Sequence, residues 1–145
     1  MNTLPIDRNA LLIRAPMLRR ALISGARRVI KHRDFLNKIN VFPVPDGDTG
    51  SNMAFTLGNV LSGALNRRAH STGELLRRVS EHAIDGARGN SGAILAQFFT
   101  GVSERIGSSP IASLEQMAQA IRHGADTARQ AISEPKEGTI LSVIT

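Results

Sequence analysis

Cysteine, tryptophan and tyrosine are absent from this chain of 145 residues, and its only aromatic side chains are five phenylalanines. Without cysteine there is no disulfide framework and no zinc–thiolate site, so a reducing, cytoplasmic setting is expected. Without stacking platforms, a groove for single-stranded nucleic acid is disfavoured. No apolar run approaches the roughly 20 residues of a membrane span. The opening Met1-Asn2-Thr3-Leu4-Pro5 lacks the basic and apolar regions of a secretory leader. No stretch alternates apolar and polar residues long enough to read as a strand. Neither a GxxxxGKS phosphate loop nor a GxGxxG dinucleotide loop occurs.

What is present is helical. Hydrophobic residues make up 41% of the chain, enough for one domain over residues 1–145. Net charge is +6 and the pI about 11.2. Arginines cluster at Arg19, Arg20, Arg27 and Arg28, then at Arg67, Arg68, Arg77 and Arg78. They fit either a solvated helix face or an anionic partner.

Apolar residues recur at helical spacing through most of the chain. Residues from about Asp7 to Lys31 read as one long helix or two joined ones, with Pro16 able to start a helix and His32 to Lys38 as a polar lead-out. A second helix is expected from about Gly50 to Asn66. Ser71 and Glu74 have capping-box spacing, and the helix behind them should bury Leu75, Leu76, Val79, Ala83 and Ile84. A further helix carries Ile94, Leu95, Phe98, Phe99, Val102 and Ile106. Ser109-Pro110 is the expected start of the next, which Pro135 should stop. Ile140 to Val143 begins another helix or strand. The expected fold is all-α, an antiparallel up-down bundle.

One irregular stretch organises the rest. Asn40-Val41-Phe42-Pro43-Val44-Pro45-Asp46-Gly47-Asp48-Thr49-Gly50-Ser51-Asn52 places two carboxylates at the mouth of a helix. Helix N-termini suit phosphate. Hard oxygen ligands one residue apart suit Mg²⁺, which takes one or two carboxylates plus substrate phosphates. A capped turn explains the same residue types without any ligand. Gly86-Ala87-Arg88-Gly89-Asn90-Ser91-Gly92 is a second such stretch, with Asn90 and Ser91 as side-chain donors. It too reads either as a phosphate loop or as a helix–loop–helix corner. Lys136-Glu137-Gly138-Thr139 makes a third. Two helices separate each stretch from the next, so up-down topology should bring all three to one end of the bundle.

The strings NVFPVPDGDTGSNM, GARGNSGAIL and EGTIL, in that order, resemble the DhaL-type nucleotide-binding domain of dihydroxyacetone kinases. The first string is most similar to its form in the N-terminal, ATP-binding domain of bacterial fatty acid kinase. The likeness runs over about residues 7 to 145. It implies an eight-helix barrel-like bundle, of which the last helices are expected to be missing here. It implies that Asp46 and Asp48 hold two Mg²⁺ ions between the phosphates of ATP. Asn40 is the nearest equivalent of a third acidic ligand. Thr49, Gly50, Ser51 and Asn52 would meet phosphate from one helix start. Gly89, Asn90, Ser91 and Gly92 would wrap it from another. Gly138, Thr139 and Leu141 would lie near the nucleoside.

The activity so implied is phosphoryl transfer with no protein nucleophile. In the fatty acid kinase form, the acyl substrate arrives on a separate fatty-acid-binding protein. That carrier is the expected partner, Arg88 is a candidate for holding phosphate or docking it, and a homodimer would cover faces left by missing helices. Three alternatives stand beside this reading: a dihydroxyacetone kinase-type subunit, an inactive fragment, and a basic interaction module.

Overall fold

The computed structural model describes residues 11–145. Seven helices account for most of them: α1 (Ala15–Lys31), α2 (Arg33–Lys38), α3 (Thr49–Gly63), α4 (Thr72–Asp85), α5 (Gly89–Ile106), α6 (Leu114–Gln130) and α7 (Ile140–Ile144). Two short strands, β1 (Leu12–Ile13) and β2 (Ala112–Ser113), pair antiparallel. The fold is all-α with this one two-stranded clip.

Several boundaries differ from those the pattern suggests, each for a tertiary reason. The first helix begins at Ala15 with Pro16 in its first turn. Leu11 and Leu12 precede it, Leu12 being drawn into the strand pair, and residues 7–10 lie outside the described residues. The polar stretch before the Pro-rich loop is itself a helix, α2, separated from α1 at His32. α3 ends three residues before Asn66 because Ala64 and Leu65 turn into the core, both amides donating to the Val60 carbonyl. Arg67 and Arg68 therefore follow the helix rather than ending it.

At α4 the Ser71 hydroxyl caps the Glu74 amide, as the spacing suggests. Glu74 reaches back one residue further, to the amide of His70. Leu75, Leu76, Val79 and Ala83 are buried, and each large side chain so removed from water contributes about 1.5–3 kcal/mol. Ile84 instead points outward, 49% exposed. Arg78, on the supposed solvated face, is buried.

The next helix does not start at Ser109-Pro110. The carbonyls of those two residues accept from Gly73 and Thr72 and so tie the first turn of α4. α6 starts at Leu114 behind a reciprocal capping box of Ser113 and Gln116. It ends at Gln130, well before Pro135, and Ile132 folds back against Ile94, Ala128 and Leu141. α5 runs between α4 and α6, and its crossing with α6 is close where Gly101 meets Gly124.

Candidate functional site: an acidic pair where three loops meet

The antiparallel course of the helices puts the starts of α3, α5 and α7 at the same end. Two adjoining cavities lie there. A small polar one, about 180 Å³, is lined by the acidic loop (Asp46, Asp48) and by the α3 and α5 starts (Asn52, Gly89, Asn90). A larger, mostly apolar one, about 590 Å³, is walled by Leu36, Ile39, Phe42, Ile94, Ile132 and Leu141. Asn40, Pro43, Thr49, Asn90 and Ser91 line both.

The acidic loop is built from its own backbone outward. Its Phe42–Pro43 peptide is cis, and the Asp46 amide donates to the Val44 carbonyl at 2.9 Å. Asp48 occupies the N-cap position of α3, yet its side chain makes no capping bond. It is hydrogen-bonded to Asp46 instead, and that bond, with some desolvation and the Asp48 charge, raises the pKa of Asp46 above the ordinary aspartate range. Two carboxylates held this close form a hard-oxygen donor set that a divalent cation fits. Among the described residues no group of three or more His, Cys, Asp or Glu side chains surrounds a common point.

Capping of α3 falls to two asparagines from upstream. The amides of Asp48 and Thr49 both donate to Asn40 Oδ1, each at 3.2 Å. Asn40 Nδ2 donates to the Val44 carbonyl at 3.0 Å. The oxygen expected as a third metal ligand thus has both lone pairs engaged. Asn37, at the end of α2, accepts the Ser51 amide through Oδ1 and donates to the Ser51 hydroxyl through Nδ2, both at 2.9 Å. Sequence reading overlooks Asn37. Its available signal is its place three residues before Asn40, next to the acidic loop.

These bonds redistribute the expected phosphate contacts. Ser51 faces Asn37, and Gly50 is packed where α2 crosses α3, its α-carbon against the Arg33 carbonyl. Gly92 is packed beneath Thr56. None of these three lines either cavity. Asn52, Gly89, Asn90, Ser91, Thr49, Gly138, Thr139 and Leu141 do.

The second loop is bolted to α3. Buried Thr56 Oγ1 lies 2.9 Å from the Asn52 carbonyl and 3.1 Å from that of Gly86, and accepts the Arg88 amide at 3.3 Å. Ser91 Oγ donates to the Thr49 carbonyl at 3.0 Å, joining the two helix starts. Gly89 has φ +63, and a Cβ there would run into the Asn52 amide, so only glycine closes this corner. The side chain of Arg88 turns outward and stacks on Phe55, 3.9 Å from the ring centroid.

The third loop carries its own polar clasp. Arg129 donates to Glu137 at 3.1 Å, Ser142 donates to the other Glu137 oxygen, and Thr139 caps α7. The Ser142 hydroxyl and the Arg129 guanidinium hold the Glu137 carboxyl below the ordinary glutamate range.

Fold and site together define a helical bundle whose acidic, amide-lined end opens beside an apolar chamber. The chain belongs to the DAK2 domain family, whose model matches residues 43–145. It is thus a dihydroxyacetone-kinase-like domain, of a family associated with kinase-type function and with ATP or ADP. Similar chains include an uncharacterized protein of Staphylococcus saprophyticus, 42% identical over 122 residues. Others are uncharacterized proteins of Staphylococcus haemolyticus, 41% identical, and Staphylococcus aureus, 39% identical. Each alignment covers 84% of this chain and 22% of the relative, so the chain spans about a fifth of the length of these proteins. No helix among the described residues is long and apolar enough to cross a membrane.

Proposed function

We propose that this chain is the ATP-binding kinase module of a fatty acid kinase, working in the cytoplasm on an acyl carboxylate that a separate fatty-acid-binding protein presents. The observation that carries the reading is the close pair Asp46 and Asp48, which line one small cavity together with Gly89, Asn90 and Ser91 of the second glycine-containing loop. Mg²⁺, two ions by the family resemblance, would be held by these two carboxylates and would neutralise charge on the phosphates during transfer. Asn40 contributes by fixing the loop that carries both acids.

The other residues bind and orient. Thr49, Asn52 and Asn90 ring the polar cavity and offer hydroxyl and amide groups to the phosphates, while the Ser91 hydroxyl ties the two helix starts together beside them. The α5 start adds its free amides at Gly89 and Asn90. Gly138, Thr139 and Leu141 border the apolar chamber on the nucleoside side. No side chain is needed as nucleophile, since positioning and charge neutralisation account for such transfers. Exposed Ile39, Val41 and Val44 form an apolar rim at the two cavities, which suits docking of the carrier or of a second copy.

Calorimetry with ADP should show binding that requires Mg²⁺ and that Asp46→Ala abolishes. Equal binding by that variant would remove the acids from the site. The family match also favours a dihydroxyacetone kinase-type activity, and parallel assays with dihydroxyacetone and with a loaded acyl carrier separate the two.

A further inference from the structure

Arg78 has no evident reason to be where it is. Its residue exposure is 4%, and neither Nε nor Nη2 has a hydrogen-bond partner among the described residues. Those two nitrogens are the side-on edge of the guanidinium, the pair that grips a carboxylate or phosphate with parallel bonds. A buried charge without a partner is strongly unfavourable, and a well-placed partner offsets part of that cost.

Among the described residues the surroundings add more cations than counter-ions. Burial first, then the charges of Arg67, Arg77 and Arg19, push the Arg78 pKa down, and only Glu74 pulls it up. Glu74 is engaged with the amide of His70 and makes no hydrogen bond to Arg78. Arg77 spends its charge on Glu81 at 2.9 Å. Arg19 Nε donates to the Leu65 carbonyl at 3.0 Å, which leaves its terminal nitrogens free of described partners. Among the described residues four guanidinium groups are thus set against two carboxylates, Glu74 and Glu81, an excess of positive charge that suits a phosphate dianion. Arg67 is exposed, and its side chain can turn toward an incoming ion. None of the four arginines lines either cavity at the glycine-containing loops.

We propose that Arg78, flanked by Arg19, Arg67 and Arg77, is a second anion site, one that takes a phosphate group through the side-on edge of the Arg78 guanidinium. It is separate from the nucleotide end and does not depend on how that end works.

The test uses the whole chain and inorganic phosphate, titrated against chloride at fixed ionic strength, with the arginine Nε–H signals followed by NMR. The expected result is a saturable shift of the Arg78 and Arg67 signals. Arg78→Lys, which keeps the charge but loses the paired edge, should weaken the Arg67 response at least tenfold. Acetate should do much less than phosphate. Thermal melts give a second reading: phosphate should raise the Tm of the parent chain by more than that of Arg78→Met. The proposal is overturned if phosphate moves only the Gly89 to Gly92 amides, if Arg78→Lys responds like the parent, or if acetate matches phosphate. The parent titration decides the matter even where Arg78→Met fails to fold.

Discussion

Phe42 of the acidic loop lies against Gly138 of the third loop, so closely that a Cβ on Gly138 would sit 2.9 Å from the phenyl Cδ2. This contact joins the loop that carries the two acids to the loop that borders the apolar chamber. Gly138 also has φ +80, a conformation that side chains resist.

Gly138→Ala should therefore cost about 1–2 kcal/mol from the backbone alone, with more from the ring contact. Urea denaturation measures it. Phe42→Ala in the same chain should recover the steric part and leave the backbone part, and a double-mutant cycle gives the coupling. Additive effects would show that the two loops do not bear on each other.

Asn37→Ala and Asn40→Ala each remove a cap from α3, for about 1 kcal/mol apiece by the same denaturation assay. The pair also separates capping from metal binding at Asn40. Asn40→Asp preserves an acceptor oxygen, so it should keep most of the stability and leave Mg²⁺-dependent ADP binding within a few-fold of the parent. A large gain in Mg²⁺ affinity would make residue 40 a ligand after all.

Thr56 is wholly buried and its hydroxyl meets three backbone groups. Thr56→Val keeps the shape but strands the Arg88 amide, at a cost of about 1–3 kcal/mol. Since that amide fixes the second loop, ADP affinity should fall along with stability. Loss of stability with unchanged affinity would show that the loop is held by other means.

The clasp around Glu137 has a signed pH dependence. Its pKa is depressed in the folded chain by the Ser142 hydroxyl and by Arg129. Such a group adds stability above its unfolded pKa and loses it as pH falls through its lower, folded value. Glu137→Gln should accordingly flatten the acid side of the stability curve. The group is exposed, so the effect is small and best read by NMR of Ser142 and Gly138 during an acid titration. An unchanged titration of those two signals in Glu137→Gln would remove the clasp from the account.

Much of this was legible in the residues. Helical periodicity marked the stretches that bury Leu75, Leu76, Val79 and Ala83 in α4 and Ile94, Leu95, Val102 and Ile106 in α5, because one face of each must leave water. Boundaries were less legible where the end was set by a neighbour. Ser109-Pro110 has the composition of a helix start, but its carbonyls serve the first turn of α4, and the cap appears at Ser113. Arg78 carries the same side chain as exposed Arg77 beside it, and only packing distinguishes them.

The sequence by itself determined the helical class and the family, since these depend on local spacing and on motifs that read without partners. Tertiary structure alone decided which groups remain available to a ligand. Asn40 and Asn37 occupy the amides of Asp48, Thr49 and Ser51, while Gly50 and Gly92 are consumed by close packing. The reason is that a hydrogen-bonding group has only a few places to bond, and how they are filled depends on which distant residues the folded chain brings within reach.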